Sequence, residues 1–257
     1  MQLLCTRETY MMRLYGKILC NFHHNHSSCR TYYQAMFERF SHSNYHAICD
    51  QLAANDPELA PIIQNHGYPP LWSRPNTFET LVHIILEQQV SLASALSALN
   101  KLRERVQEIT PARVLLLTDE EFKACYCSRQ KTSYIKYLAE AIISGQIDLE
   151  AMEQMPDDMI RTKLTALKGI GNWTVDVYLM FVLQHTDVFP IGDLAAVNAL
   201  KRVKKLPKET TREEVLAVTE QWKPYRTVAA MLLWHYYLSA PAHAPRPPKG
   251  GGKKSKI

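Results

Sequence analysis

This chain of 257 residues contains a tight glycine turn between two apolar segments, which limits the structures that it can form. Lys168-Gly169-Ile170-Gly171 is too short for an ordinary loop and carries two glycines, which take positive φ freely. Apolar residues keep a helical spacing on both sides of the turn. The pattern predicts a helical hairpin over residues 157–185. The first N–H groups of its second helix would suit an anion such as a phosphate.

A glycine turn between helices is by itself more often a plain turn. A carboxylate downstream strengthens the interpretation that this turn binds an anion. Asp193 follows a loop punctuated by Pro190 and Gly192, directly before the helical stretch Leu194-Ala195-Ala196-Val197. Asp is a favoured N-cap, so a purely structural role for Asp193 stays open at this point. Asp176 is expected to be solvated on its helix, and Asp187 to brace the loop.

Composition favours an all-α protein. Glycine is scarce and long alternating β-branched runs are absent, while 46% hydrophobic residues suffice for one large domain or two small ones. No stretch approaches the length of a membrane span, so we expect no membrane partner and a cytoplasmic protein. The six cysteines show no disulfide framework, and Cys125 and Cys127 are expected to be packing residues rather than a redox pair.

Charge is concentrated at the carboxyl end. Residues 241–257 carry five of the 30 Lys and Arg residues and no acid, which leaves 25 basic against 25 acidic residues elsewhere. A neutral body argues against a broadly basic DNA clamp, so any nucleic-acid contact must be focal. The Pro-rich and then Gly/Lys-rich tail is predicted to be disordered.

Helix boundaries follow from local signals. Two short helices are predicted between Tyr45 and His66, the second beginning at Asp56 and Pro57. Leu71-Trp72 is expected to anchor a turn-rich segment to the core. Further helix starts are predicted at good N-cap residues, two of them with a Glu three positions later: Asn76 or Thr77, Ser91, Thr118, Ser128 and Thr211.

The motifs LKGIGNWT, DVFP and GDL together resemble the helix-hairpin-helix DNA glycosylase superfamily, in its DNA-3-methyladenine glycosylase II type. The resemblance extends from about Tyr45 to Tyr237. It implies two helical lobes with a helix-hairpin-helix motif and an active-site cleft between them, over a domain at 45–240. It also implies base excision repair, in which an alkylated purine such as 3-methyladenine or 7-methylguanine is flipped out and its N-glycosidic bond hydrolysed.

Carried over residue by residue, the resemblance assigns Asp193 as the catalytic carboxylate. Whether it stabilises positive charge on the sugar or activates water stays open. Trp173, Tyr178 and Trp234 are candidates for the base pocket, although aromatics on apolar helices are more often core residues. Trp173 occupies the position of the Schiff-base lysine of bifunctional relatives, so we expect a monofunctional enzyme that leaves an abasic site.

DNA contacts are expected at two places. Gln89 occupies the position of the residue that fills the gap left by the extruded base, with Gln88 beside it; long amides at a helix junction are otherwise simply solvent-facing. The turn itself contributes the residues expected to contact phosphate: Lys168, Gly169, Gly171 and Asn172. The expected partner is double-stranded DNA with alkylated bases, bound by a monomer.

No divalent metal or organic cofactor is implied. The four closely spaced cysteines of iron–sulfur glycosylases are missing, so no cluster is expected. The resemblance does imply a structural monovalent cation held by the backbone carbonyls of Thr165, Leu167 and Ile170. Residues 1–44 are an extension of unknown role, expected to be poorly ordered, with Met36 as an alternative start. Its Cys20–Cys29 segment, rich in histidine, has no recognisable metal-binding spacing.

Three alternatives remain at this stage. The first is a related glycosylase that acts on other damaged or mismatched bases, which Trp173 and the missing cluster cysteines disfavour. A non-catalytic helix-hairpin-helix DNA-binding module would need the turn, but not Asp193, the Gln89 position or the aromatics. A metal-binding regulator built on Cys20–Cys29 is the third. The joint presence of Asp193, Gln89 and the tryptophans favours the enzyme.

Overall fold

The computed structural model describes residues 39–239, which form thirteen α-helices and one short 3-10 helix, without a β-strand in that range. The prediction of an all-α fold is therefore confirmed. In chain order the helices are α1 Tyr45–Asn55, α2 Ala60–His66, α3 Phe78–Glu87, α4 Leu92–Val106, α5 Pro111–Leu115, α6 Asp119–Ala124, α7 Arg129–Ile143, α8 Leu149–Met152, α9 Asp157–Thr165, α10 Asn172–Phe181, α11 Leu194–Val203, α12 Arg212–Thr219, the 3-10 helix Glu220–Trp222, and α13 Arg226–Ser239.

The packed domain begins earlier than the predicted boundary at Tyr45. The Phe40 side chain is fully buried, and its ring centroid lies 5.8 Å from that of Tyr45. The Phe40 amide also donates a 3.1 Å hydrogen bond to the carbonyl of Gln184. An apolar side chain that fills the core belongs to the domain. The Cys20–Cys29 segment and the basic tail lie outside the described residues.

The predicted helix starts are confirmed wherever a side chain caps the helix. The hydroxyls of Thr77, Ser91 and Ser128 each accept the amide three residues ahead. Thr118 and Thr211 form complete capping boxes with Glu121 and Glu214. These starts are predictable because both partners lie within one helical turn.

The start of α2 is the exception. It begins at Ala60 rather than at Asp56. Asp56 is 3% exposed, and its Oδ2 accepts from Trp222 Nε1 at 2.7 Å and from Lys204 Nζ at 2.6 Å. Oδ1 accepts from the Glu58 amide at 3.2 Å, so the carboxylate holds a local turn and a buried tertiary contact, and the helix begins only after that turn.

Helices α3, α10 and α13 are apolar on nearly all sides and form the centre of the core. The first of these packs on α4, α7 and α10, whereas α13 packs on α1, α2 and α11. The helices thus fall into two sets, as the two predicted lobes require. Helix α10 belongs to one set and α11 to the other, so a contact between their ends joins the two.

Cys125 and Cys127 are buried free thiols, as is Cys49, which agrees with the packing role predicted for the first two. Between residues 39 and 239, no three His, Cys, Asp or Glu side chains are grouped so as to hold a metal ion. Over the same range, no helix has both the length and the apolar character needed to cross a membrane.

Candidate active site

The predicted hairpin is formed by α9 and α10, joined by the turn at residues 166–171. Gly171 precedes α10, and no side chain caps that helix. Gly169 has φ +90°, and a Cβ placed there would lie 2.0 Å from Cγ of Tyr134. Glycine is therefore required by the backbone conformation and by the ring packed against it. The uncapped first N–H groups of α10 remain available to an anion.

Asp176 braces the hairpin. It is buried, although it was predicted to be solvated. It is 4% exposed, and its Oδ1 accepts a 2.6 Å hydrogen bond from Arg161 Nη2. Nη1 of Arg161 donates to Asn172 Oδ1 at 3.0 Å. Burial raises the pKa of Asp176 above its ordinary value, and Arg161 opposes that rise. The prediction was wrong because the helical pattern does not reveal that α9 places an arginine opposite this face.

Asp193 is held by three N–H donors from three helices. It caps α11, with Oδ1 accepting from the Ala196 amide at 2.9 Å. The same oxygen accepts from Trp234 Nε1 at 3.0 Å, and Oδ2 accepts from Trp173 Nε1 at 3.1 Å. The structure thus brings together three residues predicted for the site, and Asp193 is both a cap and a candidate catalytic group.

This arrangement holds the Asp193 carboxylate in a defined orientation. Three N–H donors complement a carboxylate, and two of them belong to large aromatic rings that pack beside it. Each carboxylate oxygen has two lone pairs, so Oδ2, with one hydrogen bond from the described residues, still has an acceptor position for water. A half-buried carboxylate of this kind can stabilise positive charge that develops beside it.

Trp234 is surrounded by aromatic side chains. Its ring centroid lies 5.2 Å from that of Phe181 and 6.4 Å from that of Trp72, the latter at 82°. The Arg74 guanidinium lies 5.8 Å from the Phe181 centroid. Sequence reasoning assigned Trp72 to the core and gave Phe181 no role. The regular apolar spacing of α10 was the only available signal for Phe181.

Tyr178 does not belong to this group, contrary to the prediction of a pocket role. Its side chain is fully buried, and its hydroxyl donates a 2.8 Å hydrogen bond to Asn76 Oδ1. A ring without exposed surface cannot stack on a base. Tyr178 is a core residue whose hydroxyl finds its partner 102 positions away in sequence.

The junction between α3 and α4, residues 88–91, lies beside the hairpin. Gln89 is exposed and has φ +57°, an uncommon conformation for a residue other than glycine. The Gln88 amide is directed elsewhere: its Nε2 donates to the Gly169 carbonyl at 2.9 Å and to Thr174 Oγ1 at 3.1 Å. Gln88 therefore contacts the hairpin, whereas Gln89 is the one free to contact DNA.

The remaining predicted residues lie on the turn. Lys168 is exposed, with Nζ 5.2 Å from the ring centroid of Tyr137. Thr165 ends α9, where carbonyls have no partner further along the helix, and the Leu167 carbonyl accepts from the Ile170 amide at 3.1 Å. Backbone carbonyl oxygens are hard metal ligands, and such ligands suit an alkali cation.

A groove of about 470 Å³ lies next to the junction, lined in part by Val90, Ser94 and Tyr126. Tyr126 is 66% exposed and has φ +62°. No sequence signal indicated this tyrosine. Neither Asp193 nor its tryptophan donors line the groove, so it is separate from the carboxylate.

Residues 82–224, more than half of the chain, match the family described as HhH-GPD superfamily base excision DNA repair protein. The chain belongs to this family. The matched segment contains the junction, the hairpin and Asp193, and α13 with Trp234 follows it. Family membership agrees with the all-α fold and with the predicted helix-hairpin-helix motif.

Two relatives in Schizosaccharomyces pombe are similar over most of the chain. DNA-3-methyladenine glycosylase 1 is 32% identical over 187 residues, which is 71% of this chain and 82% of that protein. The alkylbase DNA glycosidase-like protein mag2 is 28% identical over 199 residues, 75% of this chain and 93% of its own length.

Solved structures agree with this assignment. The S. pombe 3-methyladenine DNA glycosylase in complex with abasic DNA has a TM-score of 0.65 and 31% identity, covering 74% of this chain and 95% of that one. A DNA-3-methyladenine glycosidase from Bacillus halodurans has a TM-score of 0.62 and 30% identity, covering 73% and 88%.

Proposed function

We propose that this HhH-GPD protein is a base excision repair DNA glycosylase that hydrolyses the N-glycosidic bond of alkylated purines in double-stranded DNA. The observation that carries the proposal is the geometry of Asp193, whose oxygens accept hydrogen bonds from Trp173, Trp234 and the first turn of α11. The relatives named above as 3-methyladenine glycosylases support the choice of alkylated bases.

The reaction breaks the bond between the sugar C1′ and the base nitrogen. Methylation at N3 or N7 makes the purine cationic, so it leaves as a neutral base that takes the bonding electron pair. The sugar then acquires oxocarbenium character, which the Asp193 carboxylate stabilises at close range. Water adds to C1′ and loses a proton, leaving an abasic site. The free acceptor position on Oδ2 suits the orientation of that water.

DNA is held by two elements in this proposal. The uncapped N-terminus of α10 binds a backbone phosphate, with Lys168 adding positive charge beside it. Gln89 fills the stack after the base has been extruded, a step that costs a few kcal/mol of unstacking. A monovalent cation on the Thr165, Leu167 and Ile170 carbonyls would add positive charge near that phosphate.

The chemistry is that of a monofunctional enzyme acting as a monomer. A lyase needs an amine that forms a Schiff base with C1′, and Trp173, at the position where bifunctional relatives have that lysine, has none. Asp193, its donors, the hairpin and Gln89 all belong to one chain. Borohydride should trap no covalent complex with DNA, and the product strand should stay intact until it is treated with alkali.

The deciding experiment measures free bases released from methylated duplex DNA by chromatography. Asp193→Asn should abolish release, because Asn keeps the helix cap and removes the charge. The matched control is Asp148→Asn, since Asp148 caps α8 in the same way, through the Ala151 amide, and is exposed. The assignment would be contradicted if Asp193→Asn kept more than about a tenth of the wild-type rate. Such a variant would have raised the activation free energy by less than ~1.4 kcal/mol.

A non-catalytic DNA-binding module gives a different result in the same experiment. It would bind duplex DNA with Asp193 intact or replaced, and it would release no base in either case. Binding of both proteins to abasic DNA should therefore be measured alongside base release. Equal binding with release by the wild type alone assigns Asp193 to chemistry.

A further inference from the structure

Gln88 connects the two elements that contact DNA in the proposed function. Both hydrogens of its side-chain amide are used, one on the Gly169 carbonyl at 2.9 Å and one on Thr174 Oγ1 at 3.1 Å. Gly169 lies in the turn, and Thr174, 1% exposed, lies in the first turn of α10. One side chain therefore joins the α3–α4 junction to the hairpin.

The neighbours of Gln88 give the junction a defined geometry. Glu87, 7% exposed, accepts from both Arg74 Nη atoms at 2.8 and 2.9 Å, which anchors the end of α3. Gln89 follows in the left-handed region and is exposed. Glu87 is thus bound to Arg74, Gln88 is bound to the hairpin, and Gln89 is exposed to solvent.

We propose that Gln88 is a positioning residue that sets the distance between Gln89 and the phosphate-binding turn. The inference rests on the proposed function. An inserted side chain can fill the gap left by an extruded base only if it lies at the right distance from the backbone phosphate that the turn binds. The two amide hydrogen bonds of Gln88 set that distance, because hydrogen bonds are directional whereas apolar packing is not.

Packing against α7 holds the turn in place, so it can act as the reference point. Gly169 is packed against the Tyr134 ring, and Tyr134 belongs to α7, which also packs on α3. The Gly169 carbonyl is therefore fixed by the same part of the core that carries the junction. Loss of the Gln88 bonds would leave this turn in place and free the junction alone.

The test replaces Gln88 by Met, which has a similar length and volume but no donor. Excision under single-turnover conditions is measured on a methylated base in stable duplex and in single-stranded DNA. Gln88→Met should slow duplex excision about fivefold and leave single-strand excision within twofold of wild type. Gln51→Met, an exposed glutamine on α1, is the matched control and should leave both rates unchanged.

A double-mutant cycle with Gln89→Ala identifies the route of the effect. If Gln88 acts through Gln89, Gln88→Met should add less than twofold to the duplex defect of Gln89→Ala. A multiplicative effect, or an equal loss on single strands, would mean that Gln88 only supports the fold and would overturn the inference. A Gln88→Met protein with the wild-type ratio of duplex to single-strand rates would overturn it as well.

Thr174→Val is a second variant that does not depend on how well Gln88→Met folds. It is nearly isosteric and removes one of the two acceptors while keeping the Gly169 contact. Its defect should be smaller than that of Gln88→Met and again confined to duplex. Failure of the wild type to release any base would refute the proposed function instead, so the two failures are distinguishable.

Discussion

The Trp234 indole and the Asp193 carboxylate meet through a 3.0 Å hydrogen bond, although 41 residues separate them in sequence. Trp234 belongs to α13, which packs on α11, the helix that Asp193 caps. The contact therefore depends on the packing of these two helices. It fixes Oδ1 of the carboxylate, whereas Trp173 binds Oδ2.

Trp234→Phe should slow base release at least about tenfold while preserving the aromatic packing on Phe181. A hydrogen bond to a charged group is worth about 1.5–3 kcal/mol, which corresponds to roughly 10–100-fold in rate. Single-turnover kinetics on methylated duplex measures the effect. Trp222→Phe also removes an indole bond to a carboxylate, that of Asp56, and should lower stability without slowing the chemistry. Equal slowing by both variants would argue against a role for Trp234 in orienting Asp193.

Gln89→Ala should slow excision from duplex about tenfold or more, ~1.4 kcal/mol, with little effect on single-stranded or mispaired DNA. The reason is that an extruded base leaves a gap only in a stacked duplex. Gln107→Ala is the control, because Gln107 is also exposed and has a positive φ of 63° at the end of α4. An equal loss on single strands would show that Gln89 supports the pocket or the fold.

Gly169→Ala should destabilise the domain by about 3 kcal/mol or more and weaken DNA binding. The new Cβ would clash with the Tyr134 ring, and alanine would also have to adopt a backbone conformation that is unfavourable for it. Gly145→Ala has a similar φ of +74° with no atom within 4 Å of the new Cβ, and should cost about 1 kcal/mol. Denaturant unfolding compares the two. Similar losses would mean that the Tyr134 ring moves aside.

Cys49 and Cys127 should resist alkylation at pH 8 in the folded protein. Burial raises the pKa of each thiol to about 12, so about one molecule in 10,000 carries the reactive thiolate at that pH. Iodoacetamide labelling followed by peptide mass spectrometry measures each site. Denaturant should restore labelling at both, and rapid labelling of the native protein would indicate that these helices open locally.

The sequence predicted those parts of the structure whose partners are close in the chain. Thr118 and Thr211 cap their helices three residues ahead, and the glycine turn and the Asp193 cap are equally local. The functional meaning of Asp193 and Trp173 came from resemblance to a family. Their hydrogen bond, across 20 residues, was not foreseen.

The incorrect predictions concern residues whose partners lie far away or on a neighbouring helix. Asp176 looked solvated because the sequence does not show Arg161 opposite it. Tyr178 looked like a pocket residue because its partner Asn76 precedes it by 102 positions. Gln88 bridges 81 residues to reach Gly169. Hydrogen bonds of this kind follow from helix packing, which apolar periodicity does not specify.

The origin of Trp234 in α13 has a consequence for the order in which the protein acquires activity during synthesis. The junction, the hairpin and Asp193 leave the ribosome before residues 226–239, the last described helix. A nascent chain that stops short of α13 contains both elements proposed to contact DNA. In such a chain Asp193, the carboxylate proposed to act in catalysis, lacks one of its three donors and the helix that packs on α11. Under the proposed function, base excision therefore requires α13 in addition to the elements that contact DNA.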